Sequence, residues 1–196
     1  MKKIKSTLFT MISALSIVTV VSTLAVTGIY IKTTETILQN QKLEELSAIY
    51  EIFGKNYDNN PIEEKTIFND NEGKPLVIYP LRKNEIIYAL AINTKTNRGF
   101  GGDIDLMTGF YLDGAMAGYK VLVHKETPGL GSKITEVGFM EQFKGLFVSD
   151  NTLKLKRYGG EIDGITSATI SSKAILHALN RAKNAFDKFS MGARND

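Results

Sequence analysis

The stretch GFYLDGAMAGYKVLVHK, residues 109–125, decides the fold class of this chain. In it, the Asp113-Gly114 pair separates two runs of β-forming residues, and this dipeptide is a strong signal for a two-residue hairpin turn. Two further β-forming runs lie upstream, PLVIYP at 75–80 and EIIYALAIN at 85–93. Because no helical pattern alternates with these runs, they predict an α+β domain with a twisted, mainly antiparallel sheet and packed helices.

One helix is predicted before the sheet and one after it. Apolar residues recur at helical spacing over 172–189, and this stripe should pack on the sheet. A second helical pattern covers 34–53, and loops around one short apolar element follow it at 54–74. The apolar residues of the two patterns are Ile175, Leu179, Ala182, Phe186 and Phe189, and Leu43, Leu46, Tyr50 and Phe53.

Residues 7–31, TLFTMISALSIVTVVSTLAVTGIYI, contain no charged side chain. At about 1.5 Å per residue this segment would reach roughly 37 Å as a helix, which exceeds the bilayer hydrocarbon core of about 30 Å. A cleaved signal peptide is the alternative, but its apolar region is usually only about 7–15 residues, and no clear A-x-A cleavage site follows. The segment is therefore predicted to be an uncleaved, single-pass transmembrane helix.

The distribution of charge predicts the orientation of that helix. Lys2, Lys3 and Lys5 precede it, so the positive-inside rule places the tip at 1–6 in the cytoplasm. The rest of the chain is then expected on the extracytoplasmic side of the inner or plasma membrane. Those three lysines also equal the whole net charge of +3, which leaves a neutral body and argues against nucleic-acid binding.

Several classes of site are excluded by composition. The chain has no cysteine, which rules out disulfides, thiolate catalysis and cysteine-ligated metals. Its only histidines are His124 and His177. His124 and Glu126 could share a strand face, but two ligands are too few for a metal site, so none is expected.

Two glycine-rich segments follow predicted strands. In NRGFGGDID, at 97–105, the glycines fit a flexible turn or bulge and equally fit a close approach of the backbone to a ligand. In HKETPGLGSK, at 124–133, Pro128-Gly129 predicts a type II turn. The turn does not explain Gly131, which would let a flat ligand approach the backbone, so a turn and a ligand contact are both possible there.

A cluster of hydroxyl side chains lies just before the last predicted helix, in EIDGITSATISS at 161–172. An N-cap at Ser171 or Ser172 would explain part of it, with Thr169 about two residues before the helix. A helix amino terminus also favours a phosphate group, because its N–H groups are unpaired and its dipole is positive. A threonine hydroxyl is a poor nucleophile without an adjacent base, so modification of Thr169 would require another enzyme.

Together, HKETPGLG at 124–131 and DGITSATISS at 163–172 resemble the FMN-binding domain of two related proteins. These are the G subunit of the Rnf electron-transport complex and the C subunit of the sodium-pumping NADH:quinone reductase. The resemblance extends to the layout of the chain, with one amino-terminal span followed by both motifs in order, and the chain length fits the Rnf protein better. It implies a membrane-proximal helix and loops at 32–74 and an extracytoplasmic FMN-binding domain at 75–196.

The resemblance also implies the site residues. In that family FMN is joined through its phosphate to the last threonine of a D-x-x-[ST]-G-A-T motif, which corresponds to Thr169, and one FMN is carried per chain. A separate flavin transferase takes the FMN from FAD and is expected to recognise Asp163. Ser167 stands where the family has glycine and places a second hydroxyl beside the acceptor. The other flavin contacts implied are Glu126, Thr127, Gly129, Leu130, Gly131, Thr166, Ser167 and Ala168.

The implied function is that of a redox subunit of a membrane translocase, without independent catalysis. Such a complex moves electrons between ferredoxin and NAD and couples the transfer to Na⁺ or H⁺ transport, with the other membrane subunits as partners. One alternative is a flavinylated subunit of the quinone reductase or of another extracytoplasmic electron-transfer chain. An alternative of another class is a flavin-free, membrane-anchored assembly or binding subunit.

Overall fold

The computed structural model describes residues 8–70, 72–147 and 152–193, so the predicted cytoplasmic tip at 1–6 lies outside the described residues. The chain divides into two compact units, Met1–Leu43 and Glu44–Asp196. Helix α1 (Leu8–Phe53) contributes residues to both units.

The first unit contains the amino-terminal part of α1. By length and composition, this is the one helix among the described residues that could cross a membrane. Its apolar side chains, such as Leu15 and Leu24, are exposed. Its threonine hydroxyls bond to carbonyls one turn earlier, as Thr19 does to Leu15 at 2.9 Å, so they are satisfied within the helix. A helix with these properties is suited to the apolar interior of a membrane.

The second unit is built on a five-stranded antiparallel sheet whose strand order follows the chain. The predicted antiparallel sheet is therefore confirmed. The loop between the last two strands has three residues, Leu112 to Gly114, instead of the predicted two, because Tyr111 N–H bonds to the carbonyl of Ala115 and Gly114 N–H to that of Tyr111, each at 2.9 Å. Gly114 takes a φ of +93°, which residues with a β-carbon rarely adopt. The strands are β1 (Thr66–Asn69), β2 (Pro75–Lys83), β3 (Ile86–Thr96), β4 (Ile104–Tyr111) and β5 (Met116–His124).

Helices α2 (Val137–Met140) and α3 (Thr169–Ala193) follow the sheet in the chain. Helix α3 covers one face of the sheet and buries the predicted apolar stripe, including Ile175 and Leu179. Phe186 stacks on Phe110 of β4 with ring centroids 5.1 Å apart. The stripe therefore anchors α3 and fixes the position of its first turn.

Helix α3 begins at Thr169, earlier than the predicted start at Ser172. The expectation that Ser171 or Ser172 would cap this helix is wrong, because both lie within its first turn. Ser172 Oγ donates to the carbonyl of Ala168 and accepts from the N–H of Ile165, at 3.0 Å in each case. Ser171 bonds to a residue outside the helix.

The last turns of α1 cover the opposite face of the sheet. Phe53 lies over Gly109, where a β-carbon would be 2.4 Å from the ring Cζ. Of the predicted stripe, Leu43 and Tyr50 are exposed, and burial shifts to neighbouring positions. The compact unit thus starts at Glu44. The sequence predicts a later start for the flavin-binding domain, at residue 75. The buried residues on this face are Ala48, Ile49, Phe53, Tyr79, Leu81, Ala89, Ala91, Met107 and Ala117.

Candidate functional site

A cavity of about 340 Å³ lies between the loop that follows β5 and the first turn of α3. Small-molecule sites usually have volumes of about 300–1,000 Å³, so this cavity can hold part of a drug-sized ligand. It brings the two sequence motifs together, although they are separated by more than thirty residues. Its lining residues are Phe100, Glu126, Thr127, Leu130, Gly131, Ser167, Ala168, Thr169, Ile170 and Ser171.

Three predicted site residues do not line the cavity. Gly129 lies in the turn that follows β5, and Thr166 is exposed in the turn before α3. Asp163 is exposed and pairs with Lys156 at 2.6 Å, which leaves its carboxylate at the surface and accessible to another protein. Conversely, Phe100, Ile170 and Ser171 line the cavity without having been predicted.

The loop after β5 forms the type II turn that its sequence predicted. The N–H of Leu130 bonds to the carbonyl of Thr127 at 3.2 Å, and Gly129 occupies the third position with a φ of +74°. Gly129 N–H also donates to Ser132 Oγ at 2.9 Å. The turn is thereby fixed, and it directs Thr127 and Leu130 to the cavity.

The segment before α3 forms a second turn of the same kind. Ala168 N–H bonds to the carbonyl of Ile165 at 3.0 Å, and Ser167 in the third position has a φ of +63°. That position of a type II turn favours glycine, because a β-carbon is strained in the left-handed region. This conformation gives a physical reason for the glycine that the family motif has where this chain has Ser167.

Glu126 connects the elements around the cavity. It is 5% exposed, and its two carboxylate oxygens accept from Gly101 N–H, at 3.0 Å, and from the hydroxyl of Ser171. Glycines surround it: a β-carbon on Gly131 would lie 2.5 Å from Oε2, and one on Gly99 would lie 2.5 Å from Oε1. Both glycine-rich segments are therefore packed against one carboxylate, which holds them to α3.

Thr169 presents its hydroxyl beside the cavity, as the first residue of α3. Arg157 Nη1 lies 3.3 Å from Thr169 Oγ1, within donating distance. Lys173, one turn further along α3, places its ammonium 4.0 Å from the ring centroid of Tyr158. Hydrogen bonding to Lys173 lowers the pKa of the Tyr158 hydroxyl, and the positive charges of Arg157 and Lys173 add to this effect. The surroundings of Thr169 are thus electropositive.

Large apolar side chains are exposed at this cavity. Phe100 is 70% exposed, Ile170 is 51% exposed and Leu130 is 45% exposed. Such a group of exposed apolar residues is typical of a ligand site, because a bound ligand would remove their apolar surface from water, which is favourable. An apolar rim, a threonine hydroxyl and nearby cations match the aromatic ring and the phosphate of FMN.

The comparisons with known proteins agree with this geometry. Residues 99–184 match the family model described as FMN-binding domain, and this range contains every residue that lines the cavity. Over 177 residues the chain is 33% identical to the G subunit of the ion-translocating oxidoreductase complex of Vibrio cholerae, covering 86% of this chain and 85% of the relative. The chain belongs to the family of these G subunits.

A second relative and two solved structures extend the comparison. The G subunit of the ion-translocating oxidoreductase complex of Methanosarcina acetivorans is 34% identical over 144 residues, which is 72% of this chain and 74% of the relative. The crystal structure of Shewanella oneidensis NqrC has a TM-score of 0.54 at 17% identity, over 63% of each chain. The C subunit of the Na⁺-translocating NADH-quinone reductase from Parabacteroides distasonis has a TM-score of 0.50 at 17% identity, over 67% of this chain and 68% of that one. Both structures share the fold of this member of the G-subunit family.

Sequence signals existed for some of the residues that were not predicted. Phe100 is a large aromatic residue between glycines, in a segment already considered as a ligand contact. Arg157 belongs to the stretch KLKRYGG at 154–160, where basic and aromatic residues precede two glycines. Nothing local connects Arg157 to Thr169, because the contact depends on the packing of α3.

Proposed function

We propose that this chain is the FMN-carrying electron-transfer subunit of an Rnf-type ion-translocating oxidoreductase, with FMN bonded through its phosphate to Thr169. The function would be performed by a complex, since the relatives are named as its subunits. The chain would supply a tethered redox group within that complex. Reduction and oxidation of the isoalloxazine ring are the chemistry that bound FMN contributes.

The position of Thr169 is the observation that carries this proposal. Its hydroxyl lies at the start of α3, beside a cavity whose opposite wall is the loop at 127–131. A phosphate on Thr169 would be close to the amino-terminal N–H groups of α3, where helix dipoles favour negative charge. From there the ring would reach the apolar side chains of Phe100, Leu130 and Ile170.

Attachment is proposed to take place on a separate flavin transferase. Thr169 Oγ would form a bond to the FMN phosphorus of FAD, the pyrophosphate bond would break, and AMP would leave. The hydroxyl proton would pass to a base of the transferase. This division of labour fits the chain, because no carboxylate or histidine is hydrogen-bonded to Thr169 among the residues that the structure describes.

The same residues would set the environment of the ring. Leu130, Ile170 and Phe100 would exclude water from its faces, and the backbone at Gly131 would allow close contact because no β-carbon intervenes. Glu126 has both carboxylate oxygens engaged, so its proposed role is to hold the loops in place rather than to bond to the flavin.

The proposed topology places the amino terminus in the cytoplasm and the FMN-binding domain on the extracytoplasmic side. A chain without cysteine makes this easy to test, because each introduced thiol is the only one present. In intact cells, a membrane-impermeant maleimide is expected to label the variant Glu136→Cys and to leave Lys3→Cys unlabelled until the cells are opened. The reverse labelling pattern would contradict the proposed topology.

Flavin attachment is tested by producing the full chain with a flavin transferase and inspecting a denaturing gel under ultraviolet light. The wild type is expected to give a fluorescent band, and Thr169→Ala is expected to give none. Mass spectrometry of the peptide containing residues 161–173 should then show an addition of FMN less one water. A non-fluorescent wild type would instead support the flavin-free binding subunit.

Ser167 provides the matched control for the acceptor assignment. Ser167→Ala removes the neighbouring hydroxyl and is expected to leave the fluorescent band intact. If fluorescence survived Thr169→Ala and disappeared in Ser167→Ala, FMN would be attached to Ser167.

A further inference from the structure

Three side chains form a cluster beside Thr169, which we call the cationic clamp: Arg157, Tyr158 and Lys173. The guanidinium carbon of Arg157 lies 5.1 Å from the centroid of the Tyr158 ring, and Lys173 Nζ lies 4.0 Å from it. The aromatic ring therefore holds both cations by cation–π attraction. Arg157 also donates to Thr169 Oγ1, which connects the clamp to the predicted acceptor.

The backbone fixes both arms of the clamp. Arg157 lies in a single 3₁₀ turn, Lys156–Tyr158, and Lys156 N–H bonds to the carbonyl of Ile162 at 2.8 Å. Gly159 ends this turn in the left-handed region with a φ of +80°. Lys173 is four residues after Thr169 on α3, so the two share one helix face. The clamp is thus built from two segments held in place by backbone hydrogen bonds.

The two cations of the clamp have no carboxylate partner in the part of the chain that the structure describes. Among residues 8–70, 72–147 and 152–193, neither Arg157 nor Lys173 forms an ion pair with a carboxylate, whereas the adjacent Lys156 pairs with Asp163 at 2.6 Å. Two cations beside one hydroxyl attract an anion bonded to that hydroxyl. Arginine is well suited to this role, because its fork of N–H groups matches the oxygens of a phosphate group.

We propose that Arg157 and Lys173 bind the phosphodiester formed at Thr169 and that Arg157 makes Thr169, rather than Ser167, the acceptor; this rests on the proposed function. Before attachment, the N–H of Arg157 occupies a lone pair of Thr169 Oγ1 and stabilises negative charge as the hydroxyl loses its proton. After attachment, Arg157 and Lys173 bond to the two free phosphate oxygens. The structure shows no cationic side chain bonded to the hydroxyl of Ser167 among the residues that it describes.

The rate of flavin attachment tests the first part of this proposal. The full chain in detergent is incubated with purified flavin transferase and FAD, and the initial increase of in-gel fluorescence is measured. Arg157→Gln is expected to slow attachment about ten-fold or more, because a charge-assisted hydrogen bond is lost. Arg157→Lys should recover part of the rate, and Lys173→Gln should slow it by a smaller factor. Lys83→Gln, which removes an exposed charge at the end of β2, should leave the rate unchanged.

The ³¹P NMR signal of the attached group tests the second part. In the flavinylated chain, Arg157→Gln and Lys173→Gln are expected to shift the phosphodiester resonance, and Lys83→Gln is not. This measurement separates the proposed contact from a loss of transferase docking, which would slow attachment without moving the resonance. Arg157 and Lys173 are both exposed, so their substitution should not disturb the core, and circular dichroism should show wild-type folding in each variant.

The two proposals fail in different ways. A wild type that takes up no FMN would overturn both of them. A wild type that takes up FMN, with Arg157→Gln attaching it at the same rate and giving the same ³¹P resonance, would overturn the clamp alone. Transfer of FMN to Ser167 at wild-type rate in Thr169→Ala would contradict the proposed choice of acceptor.

Discussion

The hydroxyl of Ser171 donates a hydrogen bond to the buried carboxylate of Glu126, 45 residues earlier in the chain. Glu126 also accepts from Gly101 N–H, so one side chain joins α3, the loop after β5 and the glycine-rich segment before β4. These are the three segments that line the cavity. Their relative positions therefore depend on a polar contact inside the domain, as well as on the apolar packing of α3.

Removal of the Glu126 carboxylate should destabilise the domain. Glu126→Ala would leave Gly101 N–H and Ser171 without their acceptor, and we expect the free energy of unfolding to fall by about 2–4 kcal/mol. Glu126→Gln should cost only about 1 kcal/mol, because its amide can accept from Gly101 and donate to Ser171 Oγ. Thermal unfolding followed by near-ultraviolet circular dichroism of the tyrosines measures both. Equal losses in the two variants would contradict this role.

Gly131 and Gly129 should respond differently to alanine. In Gly131→Ala the β-carbon would lie 2.5 Å from Glu126 Oε2 and 2.7 Å from Ser171 Oγ, so the contact between them must break. We expect a loss of about 2–3 kcal/mol, as for an overpacked core, and less FMN attached. Gly129→Ala meets open space and should cost about 1 kcal/mol from its φ of +74°, with attachment unchanged. Thermal unfolding measures the loss of stability in each variant, and in-gel fluorescence measures the amount of FMN attached.

Ser167→Gly should stabilise the protein. Ser167 has a φ of +63°, and replacing it by glycine removes the strain of a β-carbon in the left-handed region. Glycine also gives the unfolded chain more conformational entropy, which offsets part of this effect. The free energy of unfolding is therefore expected to rise by about 0.5–1 kcal/mol. Ser167→Ala keeps the β-carbon and should match the wild type. A gain in the alanine variant would assign the effect to the hydroxyl instead.

His177 should make stability sensitive to mild acid. Burial lowers the pKa of His177, and the positive charges of Arg98 and Arg181 lower that pKa further. Together they outweigh Glu72, which raises the pKa through a hydrogen bond and its negative charge. Between the unfolded pKa of about 6.5 and the lower folded value, the unfolded chain binds the extra proton, so stability falls as pH decreases through that window. His177→Gln should lose less stability than the wild type between pH 7.5 and 5.5. Parallel losses in the two proteins would contradict this assignment.

Local signals in the sequence were sufficient for most of the fold. Pro128-Gly129 forms the predicted type II turn, because proline and glycine favour specific backbone angles independently of the rest of the chain. Asp113-Gly114 does mark a hairpin, but Leu112 belongs to its loop as well, so the loop has three residues instead of the predicted two. The stripe at Ile175, Leu179 and Ala182 is buried as its spacing indicated. The start of α3 was misplaced, because the two serines of its first turn have the composition of an N-cap and are used instead by Ile165 and Glu126.

The site was predictable where its residues lie within a motif and was not predictable where they meet through tertiary packing. Thr169 and Glu126 belong to the two motifs, and the structure places both at one cavity. Arg157 is twelve residues from Thr169, and it reaches the hydroxyl through both the turn at Lys156–Tyr158 and the packing of α3. The strain at Ser167 was also hidden, because serine gives no local signal of a positive φ.

Phe53, the last residue of α1, packs against Gly109 of the sheet, so the site of proteolysis decides whether the released domain keeps this contact. A cut near residue 43 would keep Ala48, Ile49 and Phe53 on the sheet, and the fragment should remain monomeric in solution. A cut near residue 75 would remove β1 as well, exposing the edge of β2 and an apolar surface around Tyr79 and Met107. The shorter fragment should aggregate, so the last turns of α1 belong to the water-soluble body.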